Sequence, residues 1–368
     1  MLECREPLDY AKAACETMMR KYKAEDLPPK GHFHYHQGVF LSGMYKTYLL
    51  CREEKYFQYM KDWVDAMMDE DGNVRNYSED KLDDIQPGIL LYPLLDRTQD
   101  EKYKKALDKL LPIILHFPRN EVGGIWHMKA LTNQMWLDGL YMAGPISAEY
   151  AKRYHKPEYR KLVVEHALLM EKHTRDPRTG LLYHAWDPTK QAPWSDPDTG
   201  LAPEFWGRSM GWVPVAVLDD LDFMEPEHEG YEELCALVRN LLTALCPFQS
   251  EDGRWYQVVD KGGQEGNWLE NSCSCLYTAA LCKAVRKGIL SEEYLKYAQK
   301  GFEGVVNSLE WEGNDVLIGN VCIGTGVGDY QFYCDRPTCV NDLHGVGAFL
   351  IMCQEAHQVL QMQSMAPR

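Results

Sequence analysis

One carboxylate, Asp138, stands in the apolar and aromatic run QMWLDGLYMAGP (134–145) with no basic residue beside it. Burial among Trp136, Leu137, Leu140, Tyr141 and Met142 penalises a charged form, so its pKa is expected above that of a surface aspartate, within reach of proton donation near neutral pH. The competing reading is a turn or helix start at Asp138-Gly139, with the carboxylate capping backbone N–H groups. A second acidic pair, Asp83 and Asp84, precedes an apolar helical run in EDKLDDIQPGILLYPLL. One of the two is expected to cap that helix, which leaves the other free to face a pocket. Arg208 lies between Trp206 and Trp212 in PEFWGRSMGW (203–212). Its planar fork suits a carboxylate, and either tryptophan suits the apolar face of a sugar; the alternative is an ion pair with Glu204 beside core tryptophans.

Histidines 32, 34, 36, 127, 184 and 344 recur near glycine-containing turns, where neutral imidazoles and tyrosines can hydrogen-bond sugar hydroxyls. No metal and no cofactor is expected: HxHxH by itself supplies too few converging ligands, and Cys273, Cys275, Cys334 and Cys339 do not form two pairs at zinc spacing. There is neither a GxSxG elbow nor a GxxxxGK[ST] phosphate loop. The glycine-rich CIGTGVGDY (322–330) reads as a loop beside a cavity, and NDLHGVGAF (341–349) as the start of the final helix.

The elements that must hold these residues are helical. A unit recurs along the chain: an amphipathic helical stretch, a short turn with glycine and acidic residues, then aromatic or histidine residues entering the next helix. Its turns fall near Gly31, Gly72, Gly124, Gly180, Gly253 and Gly313, far enough apart for two helices per unit. Apolar residues three and four apart mark Tyr56, Tyr59, Met60, Trp63, Val64 and Met67, and again Leu234, Leu237, Val238, Leu241 and Leu242. WYQVV and DVLIG read as short hairpins or links. Six helix pairs with aromatic-rich connections suggest a closed α/α toroid around a central pocket, in preference to an open solenoid.

Among the 368 residues, 45% are hydrophobic and 26% charged, and nothing in the sequence divides the chain, so one domain over residues 1–368 is expected. The net charge of −16 opposes nucleic acid and anionic membrane as partners. Twelve scattered cysteines suit reduced thiols, and the first residues read as a charged amphipathic helix, so a cytoplasmic protein is expected.

In order along the chain, HYHQGVF, LDDIQPG, IWH, QMWLDGLYMAGP, YHAWD, FWGRSMGW, NWLENSCSCLY and NDLHGVGAF resemble glycoside hydrolase family 105, over roughly residues 30 to 350. The resemblance implies an all-α (α/α)6 barrel and removal of a Δ4,5-unsaturated galacturonyl residue from the non-reducing end of rhamnogalacturonan oligosaccharides; separately, a monomer is expected. It implies Asp138 as general acid/base and Asp83 as the second pocket carboxylate. His127 and His184 become pocket histidines, Trp136 and Trp212 aromatic walls, and Arg208 the uronate-binding arginine, with Tyr35 or His36 completing the rim. A family 88-like glucuronyl hydrolase and a noncatalytic carbohydrate-binding helical scaffold are the alternatives.

Overall fold

The computed structural model describes residues 6–365; the outermost residues of the expected 1–368 domain lie outside it. Helices with one apolar stripe form an outer layer, because only that stripe needs cover. These are α1 (Pro7–Lys21), α3 (Glu54–Ala66), α5 (Glu101–Leu115), α7 (Pro157–Thr174), α9 (Tyr231–Leu245) and α11 (Leu295–Asn307). The two periodic stretches read from the sequence are α3 and α9, whose Trp63, Val64, Leu237 and Leu241 are buried.

Alternating with them are inner helices: α2 (Tyr35–Cys51), α4 (Leu91–Thr98) with the 3-10 turn before it, α6 (Asp138–Tyr154), α8 (Gly207–Asp220), α10 (Asn271–Arg286) and α13 (Leu343–Met365). Their composition fits burial on all sides. Every residue of α10 from Asn271 to Val285 is buried, and so is nearly all of α8.

Each inner helix packs on the next, and α13 returns to pack on α2. The ring is therefore closed, as an (α/α)6 barrel. Glycines permit the closing contact: a Cβ on Gly347 would lie 2.6 Å from the Val39 carbonyl carbon, and one on Gly43 would lie 2.6 Å from Leu350 Cβ.

The recurring glycine turns all occupy outer-to-inner connections, which places them on one rim. The left-handed residues there are Gly31, Gly72, Gly123, Gly180, Gly253 and Gly313, with φ from 61° to 98°. In the third turn it is Gly123, not Gly124, that takes this conformation. The expected short hairpins are present: Trp255–Tyr256 pairs with Leu269–Glu270, and Asp315–Leu317 with Glu310–Glu312. A further pair on the site rim joins β1 (Met135–Trp136) to β2 (Ala185–Trp186), bringing Trp136 opposite Ala185.

Candidate active site

Asp138 is the first residue of α6, and Leu137, not Asp138, is the N-cap. The carboxylate therefore does not cap the helix; Asp138 Oδ2 lies 3.0 Å from His184 Nε2. On the far side of that ring, His184 Nδ1 is 2.6 Å from the hydroxyl of Tyr333, on the short helix α12 (Tyr330–Cys334). This corrects the expected charge state. Burial acts to raise the Asp138 pKa, but the hydrogen bond and charge of His184 outweigh it, and the carboxyl is held below its ordinary value. The positive end of the α6 dipole acts in the same direction. Burial in turn lowers the His184 pKa, so a neutral imidazole faces a carboxylate.

The ambiguity between the adjacent acids resolves through hydrogen bonding. Asp84 is committed to structure: Oδ1 lies 2.6 Å from His34 Nδ1, and Oδ2 accepts the Ser78 N–H. Neither acid caps the following helix. Asp83 Oδ1 is buried with no hydrogen-bond partner among the described residues, 3.7 Å from His127 Nε2. Burial raises the Asp83 pKa, and the nearby Asp138 charge adds to the rise. His127 stacks on Trp136 at 4.6 Å between ring centroids, and Trp136 meets His184 edge-on at 5.4 Å. Asp83, His127, Trp136, His184 and Asp138 thus form one continuous surface. The β1–β2 pairing positions its indole, while Trp136 Nε1 donates to Gln134 Oε1.

Arg208 does not present a free fork. It is 2% exposed and donates to the carbonyls of Cys322 and Ile323 and to Ser272 Oγ, with Glu270 Oε1 at 3.9 Å. Nor does it pair with Glu204, whose partner is Lys261. Its guanidinium lies 4.6 Å from the Trp206 ring and ties the glycine-rich loop to the barrel. The expectation for Trp212 is also corrected: it is 1% exposed, stacked on Tyr141, and part of the core beneath the site.

Tyr35 and His36 open α2 with rings stacked at 4.4 Å, beside Gly324 of the loop. His36 Nε2 is buried without a partner among the described residues, 3.8 Å from Asp342 Oδ1. Burial and the neighbouring His344 push its pKa down to about 2. His36, Asp342 and His344 bring possible metal ligands within 4.8 Å of one another, but His344 already spans Asp342 and the Cys322 carbonyl. Tyr333, Asp342 and Glu270 were not singled out from the sequence. Tyr333 is one of 22 tyrosines and has no distinguishing spacing. Towards the C-terminal ends of the inner helices, a separate cavity of about 270 Å³ is lined by Lys46, Tyr141, Glu149 and Asp219 and contains none of the expected site residues.

Two desolvated carboxylates beside stacked indole and imidazole rings, at one end of an (α/α)6 barrel, form an arrangement able to exchange protons and to stack a sugar ring. Comparison with known proteins identifies the family. The family model described as Glycosyl Hydrolase Family 88 matches residues 10–360. A solved family 105 glycoside hydrolase from C. acetobutylicum ATCC 824 superimposes with TM-score 0.90 and 32% identity, covering 95% of this chain and 99% of that one. The unsaturated rhamnogalacturonyl hydrolase YesR of Bacillus subtilis (strain 168) is 27% identical over 296 residues, 79% of each chain. An unsaturated glucuronyl hydrolase from Bacillus sp. GL1 shares the fold at TM-score 0.74 with 14% identity, covering 95% of each chain. The chain belongs to the family 88 and 105 glycoside hydrolases and is a hydrolytic enzyme. No helix among the described residues is long and apolar enough to cross a membrane.

Proposed function

We propose that the protein removes a Δ4,5-unsaturated galacturonyl residue from the non-reducing end of rhamnogalacturonan fragments by hydrating the C4=C5 bond. The observation that carries this reading is the part-buried Asp138–His184 pair beside Trp136, with Asp83 a second desolvated acid in the same hollow. The relation to YesR supports the choice of substrate. The first residues of α2, α6, α8, α10 and α13 share this end of the barrel, so several positive helix ends favour an anionic sugar despite the chain's net charge of −16.

The double bond is a vinyl ether conjugated to the uronate carboxyl. Asp138 delivers a proton to C4 while positive character grows at C5 and the ring oxygen. Water adds at C5 and gives its proton to the resulting Asp138 carboxylate. The C5 hemiketal opens to a ketone, and the hemiacetal left at C1 expels the rhamnose-bearing alcohol. Because Asp138 is ionised in the empty pocket, it must gain a proton as substrate binds. The incoming uronate charge and the loss of water both favour this uptake. Asp83 positions the water and hydroxyls, and Arg208 fixes the covering loop and contributes positive field. Reduced cysteines suit action in the cytoplasm; the eleven cysteines among the described residues are free.

Turnover in heavy-oxygen water tests the route. The label is expected at the new C5 keto group, sampled before exchange, together with loss of the conjugated ultraviolet absorbance. Label at the former anomeric carbon would overturn hydration. Faster turnover of unsaturated chondroitin disaccharides than of unsaturated galacturonyl-rhamnose would overturn the substrate assignment.

A further inference from the structure

We propose that Tyr333 is a positioning residue that sets the protonation state of Asp138 through His184, with Gly328 of the covering loop as the outer anchor of the chain. The inference deepens the reading above and rests on it for its kinetic consequence, but its structural core concerns the protein without substrate.

A neutral imidazole carries one N–H, so the two ring nitrogens of His184 must play opposite roles. Tyr333 Oη accepts the Gly328 N–H at 3.3 Å and lies 2.6 Å from His184 Nδ1. Tyr333 is fully buried, and no other acceptor for its hydroxyl hydrogen is present among the described residues. The phenol therefore donates to Nδ1. The imidazole proton then sits on Nε2 and is donated to Asp138 Oδ2. The opposite tautomer would strand the phenol hydrogen and set the Nε2 lone pair against a carboxylate oxygen, each a buried loss. Donation from the phenol also polarises the ring, which strengthens the Nε2–H bond to the carboxylate.

The other titratable groups around this chain do not substitute for Tyr333. Asp138 also feels His127, Asp83, Arg208 and Tyr35, while Tyr333 feels Glu204 and Cys322. None of them hydrogen-bonds His184 Nδ1 among the described residues. The ring of Tyr333 stacks on Trp206 at 5.8 Å, and its carbonyl accepts from Gln257 Nε2, so the phenol is held by contacts that phenylalanine would keep.

The test is Tyr333→Phe, with Tyr330→Phe as control, since the Tyr330 hydroxyl bonds the Glu265 carbonyl outside the chain. Histidine ¹⁵N spectra of the substrate-free wild type should show His184 protonated at Nε2, and Tyr333→Phe should weaken or mix that tautomer. Titration of labelled aspartate should move the Asp138 pKa up by about one unit, the scale of one hydrogen bond to a charged group. The high-pH limb of kcat should move up with it, while KM changes little. Wild-type protonation at Nδ1 would overturn the proposal, as would an unchanged tautomer and Asp138 titration in Tyr333→Phe. Both spectra are recorded without substrate. A shifted Asp138 with no turnover of unsaturated uronates would thus leave Tyr333's role standing and remove the proposed activity instead.

Discussion

Asp138 is desolvated, as its sequence neighbours suggest, yet its charge state follows from His184, which is 46 residues away. Substrate binding should accordingly be proton-linked. Calorimetry of a saturated uronate ligand in buffers of different ionisation enthalpy is expected to show proton uptake near neutral pH, and Asp138→Asn should abolish that uptake. The same variant should reduce loss of the substrate's absorbance by about 10³-fold, the middle of the range for losing a general acid. Its melting temperature should stay within a few degrees of wild type, because the amide oxygen can still accept the His184 hydrogen bond. Retained turnover would remove Asp138 from the acid role. The sequence marked Asp138, the Asp83-Asp84 pair and the turns of His127 and His184, because isolated acids and histidine turns are visible one segment at a time, while the choice of Asp83 and the part of Trp136 came from the family resemblance. It did not reveal that Arg208 spends its fork on the carbonyls of Cys322 and Ile323, since those partners lie 114 and 115 residues away.

At the scale of elements, the rim that bears the candidate site is built from glycine turns entering inner helices. Those turns were readable because a left-handed backbone favours glycine. The split into inner and outer helices was less visible: both repeat every three to four residues, and only full burial separates α10 from α9. Ring closure at α13 and α2 depends on backbone-to-backbone approach. Gly347→Ala should therefore destabilise by about 1–3 kcal/mol, because the new methyl meets the Val39 and Phe40 backbone as well as the Val39 side chain, and the backbone cannot rotate away. A lowered urea midpoint with an unchanged slope is the expected result. An unchanged midpoint would show that the two helices separate freely.

Across the whole molecule, the two ends of the barrel differ in kind. The end away from the candidate site buries Glu149, whose pKa is pushed up to about 7 by burial against the opposing pull of Arg153. The unfolded chain releases that proton near the ordinary value of 4.5, so between 4.5 and 7 the native state holds more protons than the unfolded one. Stability from this group is thus present at low pH and falls as pH rises through the window. In melting curves from pH 5 to 8, Glu149→Gln should flatten the decline and gain on wild type as pH increases; a parallel decline in both proteins would assign it to other groups. The sequence by itself determined the helix-pair repeat, the rim turns and the acids able to carry protons, because these depend on local periodicity, backbone preference and residue chemistry. The tertiary structure alone decided that the Asp138 pKa falls while that of Asp83 rises, that Trp212 is core and that Tyr333 hydrogen-bonds His184, because burial and hydrogen bonding are set by groups distant in sequence.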